Sequence, residues 1–329
     1  MTIDFLFLFL FSLILSMAGT MLLREVSLKY NFLSNKGIPL VGGLAVALSV
    51  IFTSLLFGLQ FLRLESRAVF GIFLSSLIML LFGIIDDLRE VSVIAKFTMQ
   101  IAACALLVIS GVKTQIVYIG NIANLFITFL WMLGITNAFN HLDVMDGVAA
   151  GTGVIISLGF CWIAFLTGNA VVIFLTIVMA GSLAGFFAIN FPPAKVYLGN
   201  AGSHFLGFVL AAMAMVLSYA PLERKIALVS PIVMLGFPIF DTLFLVIMRM
   251  KQGRLIFKKS NDHVVLRLLK VHVSKRKSLF VALLLALFFV LCAVVISQST
   301  NRFGISIVVL AGLFSVYVYL RMNKIQVDG

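Results

Sequence analysis

Charged residues are scarce in this chain of 329 residues: Asp, Glu, Lys and Arg make up 11% of it, against about 25% in an ordinary soluble domain. With 62% hydrophobic residues beside that scarcity, a water-soluble globular protein is excluded and an integral membrane protein is left. Alternation of polar and apolar residues in segments of about ten is also missing, which excludes a membrane β-barrel. The apolar runs are instead continuous over about twenty residues, the length of a spanning helix. The longest polar stretch, 250–277, leaves no room for a soluble domain, and there is no fixed-period repeat or low-complexity tract. Cysteine is rare as well. Cys104, Cys161 and Cys292 lie inside apolar runs without the paired spacing of a metal site, so they read as packing residues.

What is present is a series of apolar runs. Hydropathy and its interruptions predict eleven spans, near 2–22, 39–62, 68–85, 95–112, 116–137, 148–167, 170–190, 203–219, 227–249, 278–297 and 303–321. Gly120, Asn121 and Asn124 interrupt the fifth, for which a start near Leu125 is the alternative. The first has Asp4 and no basic residue before its apolar core, so it reads as a retained helix rather than a signal peptide. With the N-terminus outside, eighteen of the 24 basic residues fall on inner loops and the C-terminus, as the positive-inside rule demands. The outer loops keep Arg63, Arg67, Lys113, Arg224, Lys225 and Arg302. The expected fold is therefore all-α: one polytopic membrane domain over 1–329, with about eleven transmembrane helices and a cytoplasmic C-terminus. The same sorting explains most of the net charge of +12 without nucleic acid.

Against this background the carboxylates stand out. Four of the twelve sit in two short segments at the ends of apolar runs, Gly83-Ile84-Ile85-Asp86-Asp87 and Asn137 to Gly147, the latter holding Asn140, Asp143 and Asp146. An ionised group near hydrocarbon costs roughly 2.5–3.5 kcal/mol at mid-bilayer on insertion scales, so clustered acids imply a use. The predicted topology puts Asp86/Asp87, Asn140/Asp143/Asp146, Asn190 to Ser203, and Asp262/His263 on one cytoplasmic face, which points to one shared site. Carboxylates beside amides suit a hard cation such as Mg2+, which takes one or two protein carboxylates and completes its shell with water and phosphate oxygens. Lys96, Lys195 and the basic stretch 249–277 complement phosphates, although positive-inside sorting alone also demands that stretch. A phosphoryl transfer between a cytosolic nucleotide and a membrane lipid phosphate is the natural reading.

Ordered along the chain are Gly37-Ile38-Pro39-Leu40-Val41-Gly42-Gly43, the Asp86-Asp87 pair followed by Lys96 and Gln100, and Asn137-x-x-Asn140-x-x-Asp143-x-x-Asp146-Gly147. Then come Asn190-Phe191-Pro192-Pro193-Ala194-Lys195, Leu198-Gly199-Asn200-Ala201-Gly202-Ser203, Pro238-Ile239-Phe240-Asp241-Thr242 and Asp262-His263. This series resembles the polyprenyl-phosphate N-acetylhexosamine-1-phosphate transferases, relatives of the phospho-N-acetylmuramoyl-pentapeptide transferases. The Asn190 to Lys195 segment looks more like the branch that starts O-antigen, enterobacterial common antigen or teichoic acid linkage units. The resemblance implies that undecaprenyl phosphate attacks the β-phosphorus of a UDP-N-acetylhexosamine, giving a lipid diphospho-sugar and UMP at a bacterial inner membrane. It implies Mg2+, with Mn2+ as an alternative. It assigns catalytic roles to Asp86, Asp87, Asp143, Asp146 and His263, and metal contacts to Asn200 and Asp143. Substrate contacts would come from Lys96, Asn137, Asn140, Asn190, Lys195, Ser203, Asp241 and Arg267. The partners implied are the two substrates and membrane lipid, without nucleic acid, and a homodimer is one option.

The chain departs from the family pattern in three places. Asn200 stands where the resemblance implies an aspartate that binds magnesium, and an amide oxygen adds no net charge. Val144-Met145 replaces a pair containing glycine, and Leu266 replaces a histidine in the last motif. Alternatives therefore stay open: a degenerate relative that binds lipid phosphate or a partner enzyme without turnover, and an ion-coupled transporter. Blander readings remain for single residues. Asn137 and Asn140 share a helix face and could be interhelical hydrogen-bonding groups, Asp241 could be a structural pair, and Pro39 with Gly42 and Gly43 could be a helix entry with a close helix contact.

Overall fold

The computed structural model describes residues 4–35, 37–58, 66–217, 219, 223–254 and 262–325. Lys36, Arg63, Glu65, Lys258 and Lys259, which entered the charge sorting, lie outside the described residues. The chain is helical: α1 (Phe5–Tyr30), α2 (Gly42–Phe57), α3 (Ser66–Leu88), α4 (Val93–Ile109), α5 (Gly120–Leu142), α6 (Val148–Thr167), α7 (Ala170–Asn190) and α8 (Gly199–Val216) come first. A 3-10 turn (Lys225–Val229) leads into α9 (Ser230–Met234) and α10 (Gly236–Lys251), followed by α11 (Val264–Lys270), α12 (Lys275–Gln298) and α13 (Asn301–Asn323). One feature departs from the all-α expectation, a small antiparallel pairing of β1 (Ser34–Asn35) with β2 (Ile38–Pro39).

Local sequence sets several of the helix starts. Asp4 caps α1 by accepting the Leu6 N–H at 2.9 Å, which accounts for an acid ahead of an apolar run. Ser92, Asn169 and Ser274 cap α4, α7 and α12 in the same way. Among the described residues eight helices are long and apolar enough to cross a bilayer, and the bent pair Lys225–Met234 with Gly236–Lys251 makes a ninth. Gly42–Phe57 and Val93–Ile109 are shorter apolar helices. Each of the eleven predicted spans overlaps an apolar helical segment, but length and composition alone stop at nine. The chain is a multi-pass helical membrane protein.

Several boundaries move in ways that matter for the site. The third helix runs on to Leu88 and the fifth to Leu142, so Asp86, Asp87, Asn137 and Asn140 lie in terminal helical turns rather than in loops. The eighth starts at Gly199 instead of 203, which puts Asn200 in its first turn. The predicted straight span 227–249 is broken at Leu235 with a 67° bend. Pro238 has no N–H to donate to Met234, so the helical ladder is interrupted at that point.

Close packing positions the site. A Cβ at Gly43 would lie 2.1 Å from the Cα of Gly202, so the start of α2 and the start of α8 approach to backbone contact. The Gly42 and Gly43 N–H groups donate to the Tyr197 and Leu198 carbonyls at 3.0 and 2.9 Å, and Tyr197 N–H donates to the Pro39 carbonyl at 2.8 Å. The Pro39 to Gly43 motif is thus a helix entry and a close contact that fixes the turn before α8.

Candidate active site

At the end of the bundle where α3 and α5 finish and α8 begins lies a cavity of about 640 Å³. Its walls include Asp86, Asp87, Asn140, Asp143, Asp146, Asn190 and Asn200. Segments distant in the chain meet there because helix ends are brought together, as a shared face requires. Lys96, Asn137, Lys195, Ser203, Asp241, His263 and Arg267 do not line it.

The carboxylates differ in what holds them. Asp86, 5% exposed, accepts the Val91 N–H at 3.0 Å and pairs with Lys96 Nζ at 2.6 Å, tying the turn after α3 to the start of α4. Asp87 accepts the N–H groups of Asn200 and Ala201 at 2.9 and 3.0 Å. It thereby caps the positive end of α8 from another helix. Gly199 makes that approach feasible: its φ is +76°, and a Cβ there would lie 2.7 Å from Asp87 Oδ2. Gly83 brings α3 equally close, since its Cβ would meet Ala201 Cα at 2.4 Å.

Asp143 and Asp146 are less committed. Asp146 accepts the Ala194 N–H at 3.2 Å and has Lys275 Nζ at 3.7 Å. Asp143 follows the last turn of α5. Burial, then the charges of Asp87 and Asp146, push its carboxyl up to about 7, with the Gly199 N–H pulling the other way. Acids without a full set of cationic partners mark this as the place where a cation or a hydrogen-bond donor from a ligand is most favourable.

The amides form the framework around them. Asn140 Nδ2 donates to Asn200 Oδ1 at 2.9 Å and to Ser203 Oγ at 3.0 Å, bridging α5 and α8. Asn190 is buried, accepts the Gly147 N–H at 2.8 Å and donates to the Val196 carbonyl at 2.8 Å, locking the acidic turn to the loop after α7. Asn137 is engaged elsewhere, donating to Gln100 Oε1 at 2.8 Å and accepting from Gln100 Nε2 at 3.2 Å. That is the interhelical pairing its helix face also allowed. Lys195 is exposed and outside the cavity walls.

Three further residues implied as site groups form a neighbouring structural network. Asp241, 1% exposed, accepts His263 Nδ1–H at 2.7 Å and the Val264 N–H at 2.9 Å, so it caps α11. Arg267 pairs with Asp262 at 2.6 Å, donates to the Met322 carbonyl at 3.0 Å and to the Ile325 carbonyl, and stacks over Phe244. These groups hold α11 in place, and what α11 presents to the cavity is Leu266 and Leu269. The departure at Leu266 is therefore a change in the cavity wall itself.

Sequence reasoning missed Ser34, Asn35 and Tyr197, which also line the cavity together with Lys275 of the basic stretch 249–277. The small hairpin carries no periodic signal at all.

Comparison with known proteins agrees with the geometry. Residues 69–218 match the profile described as glycosyl transferase family 4. A probable undecaprenyl-phosphate N-acetylglucosaminyl 1-phosphate transferase of Bacillus subtilis (strain 168) is 29% identical over 322 residues, covering 93% of this chain and 88% of that protein. A decaprenyl-phosphate N-acetylglucosaminephosphotransferase of Mycobacterium leprae is 30% identical over 275 residues, covering 73% of this chain and 68% of that protein. A phospho-N-acetylmuramoyl-pentapeptide-transferase of Streptococcus equi subsp. zooepidemicus is 31% identical over 204 residues, 56% of this chain and 61% of that protein. With the profile lying across the helices that build the cavity and relatives aligned along most of the chain, this protein belongs to glycosyl transferase family 4.

Proposed function

We propose that this chain transfers an N-acetylhexosamine-1-phosphate from a UDP-sugar to undecaprenyl phosphate, releasing UMP, in cell-envelope polysaccharide synthesis. The observation that carries this reading is the convergence of Asp86, Asp87, Asp143 and Asp146 with Asn140 and Asn200 on one cavity at a single end of the bundle. A site at one end suits a donor arriving from water and an acceptor whose phosphate lies at the bilayer surface. It does not suit ion transport, which needs acids near the midplane.

In the proposed reaction an oxygen of the lipid phosphate attacks the β-phosphorus of the donor. A P–O bond forms there as the bond to the oxygen bridging the α-phosphate breaks, and UMP leaves with that electron pair. A phosphate monoester is already ionised near pH 7, so the protein's work is to align two anions and offset their charge. Lys96, held by Asp86, and Lys275, near Asp146, supply positive charge. Asp87 fixes the start of α8, and with it Asn200 and Ser203.

Mg2+, or Mn2+ in its place, is the proposed cofactor; when bound it offsets charge on the diphosphate and on the departing UMP. Among the described residues no cluster of three or more His, Cys, Asp or Glu side chains is set to hold a metal by itself. A cation that takes one or two protein carboxylates and completes its shell with phosphate and water fits this site. Asp143 is crowded by other acids and is the best ligand. Asn200, whose amide oxygen already accepts from Asn140, would be the weaker second.

We further propose eleven crossings with the N-terminus outside, the C-terminus and the acidic cavity on the cytoplasmic side, and a bacterial inner membrane as the location. A homodimer remains one option for assembly. The test is UMP release from purified protein given undecaprenyl phosphate, UDP-N-acetylglucosamine and Mg2+ or Mn2+, with Asp143→Asn as the inactive control. Release by Asn200→Asp but not by the wild type would replace this reading with that of a relative that binds without turnover.

A further inference from the structure

The opposite end of the bundle holds a second cavity, of about 490 Å³, a size typical of small-molecule sites. It lies where α4 and α8 finish and α5 begins, so it opens at the other membrane boundary from the acidic site. Its walls are mostly apolar, with Ile127 and Trp131 from α5, Met215 and Leu217 at the end of α8, and Leu228 and Ile232 from the 3-10 turn and α9.

The charge around it is one-sided. Lys113, Arg224 and Lys225 line it, and among the described residues no Asp or Glu does. These are three of the six basic residues that the charge sorting left on this side, where the positive-inside tendency disfavours them. Topology therefore does not account for their convergence on one groove. Arg224 is oriented by the Ser297 carbonyl at 2.9 Å, and Lys225 lies 5.2 Å over the Tyr118 ring. Lys113 is half-buried with no partner among the described residues. Tyr118, Tyr219 and Trp131 surround the same opening, residue types that favour the headgroup level of a bilayer.

We propose that this groove binds an anionic phospholipid, its phosphate among Lys113, Arg224 and Lys225 and an acyl chain against the wall that contains Trp131. Cations above an apolar slot at headgroup level, with no acid in the described lining, complement a lipid that is negative at one end and apolar at the other. A zwitterionic lipid offers the same chain without the net charge. The site is separate from the proposed transfer reaction and holds whether or not the acidic cavity is active.

The chain has two tryptophans, and Trp131 lines the groove while Trp162 is 57% exposed on α6. Trp162→Phe therefore leaves one reporter at the site. In bilayers of fixed composition, brominated phosphatidylglycerol is expected to quench Trp131 at a mole fraction about fivefold lower than brominated phosphatidylcholine. In Lys113→Gln/Lys225→Gln on that background the preference should fall further than in either single variant, to what Arg224 alone supports, whereas Lys113→Arg should keep the preference. Lys113→Gln alone, which breaks no bond among the described residues, should lower it in part, guarding against misfolding of the double variant. Equal quenching by both lipids in the parent would reduce the groove to ordinary annular contact and overturn the proposal. So would an undiminished preference in the double variant.

Discussion

The carboxylate of Asp87 receives the backbone N–H of Asn200 at 2.9 Å, across 113 positions of sequence, and so caps the first turn of α8 from the last turn of α3. This single bond joins one acid of the Asp86-Asp87 pair to the position where the chain departs most sharply from its family's pattern. It makes Asp87 a structural anchor of the cavity as well as one of its walls.

Replacing Asp87 should therefore cost stability as well as activity. Asp87→Ala removes a charged cap and is expected to lower stability by about 1 kcal/mol or more, read as an earlier thermal transition in detergent. Asp143→Ala removes one contact from the Gly199 N–H but also a carboxyl that burial and the neighbouring acids disfavour, so it should cost less stability while also lowering transfer. Equal losses of stability in the two would contradict the capping role.

Gly199→Ala puts a Cβ at φ +76° and 2.7 Å from Asp87 Oδ2. The expected loss exceeds about 1 kcal/mol, because the backbone strain is joined by displacement of the cap. Gly168→Ala is the matched control, with φ +71° and nothing within 4 Å of the added carbon. Its smaller destabilisation should separate backbone strain from the clash.

Asn200→Asp restores a carboxylate beside Asp87 and Asp143. In the absence of divalent cations the added repulsion should lower the thermal transition. With Mg2+ the order should reverse, the midpoint of stabilisation moving to about tenfold lower cation concentration, or about 1.4 kcal/mol. A titration followed by thermal shift checks both halves without reference to turnover.

The Asp143 carboxyl stands at about 7 in the folded protein against 3.8 ordinarily. Between those values the folded state keeps a proton that the unfolded chain has lost. Its contribution to stability therefore falls as pH rises from about 4 to about 7 and is flat above that. Thermal transitions in metal-free buffer across pH 4.5–8 should show this slope, and Asp143→Asn should flatten it.

Arg267 is 2% exposed, and its two terminal nitrogens bond Asp262 and carbonyls near the end of α13. Arg267→Gln removes the ion pair of the buried Asp262, which keeps the Gln252 amide and the charge of Arg249, so the loss should stay below the roughly 3–5 kcal/mol of a fully unpaired buried charge. Limited proteolysis should find the 262–270 segment cut sooner, with Arg267→Lys only partly protective, since one ammonium cannot reach all three oxygens.

The sequence by itself determined that this is a helical multi-pass membrane protein, because hydropathy is a property of contiguous residues and survives any arrangement of them. It also determined which acids would gather, since Asp86, Asp87, Asp143 and Asp146 sit at helix ends and charge sorting puts those ends on one side. Tertiary structure alone decided what each group does there. Asp86 is tied to Lys96 and Asp87 to the start of α8, whereas Asp143 meets the Gly199 N–H and the charges of Asp87 and Asp146; Asn137 faces Gln100 while Asn140, three residues on, reaches Asn200. His263 and Arg267 carry the motif of a site, and their bonds to Asp241 and Asp262 hold α11. Hydrogen bonds act over about 3 Å, so which oxygens are free depends on how closely Gly43, Gly83 and Gly199 let the helices approach, and no pattern in the linear chain encodes that distance.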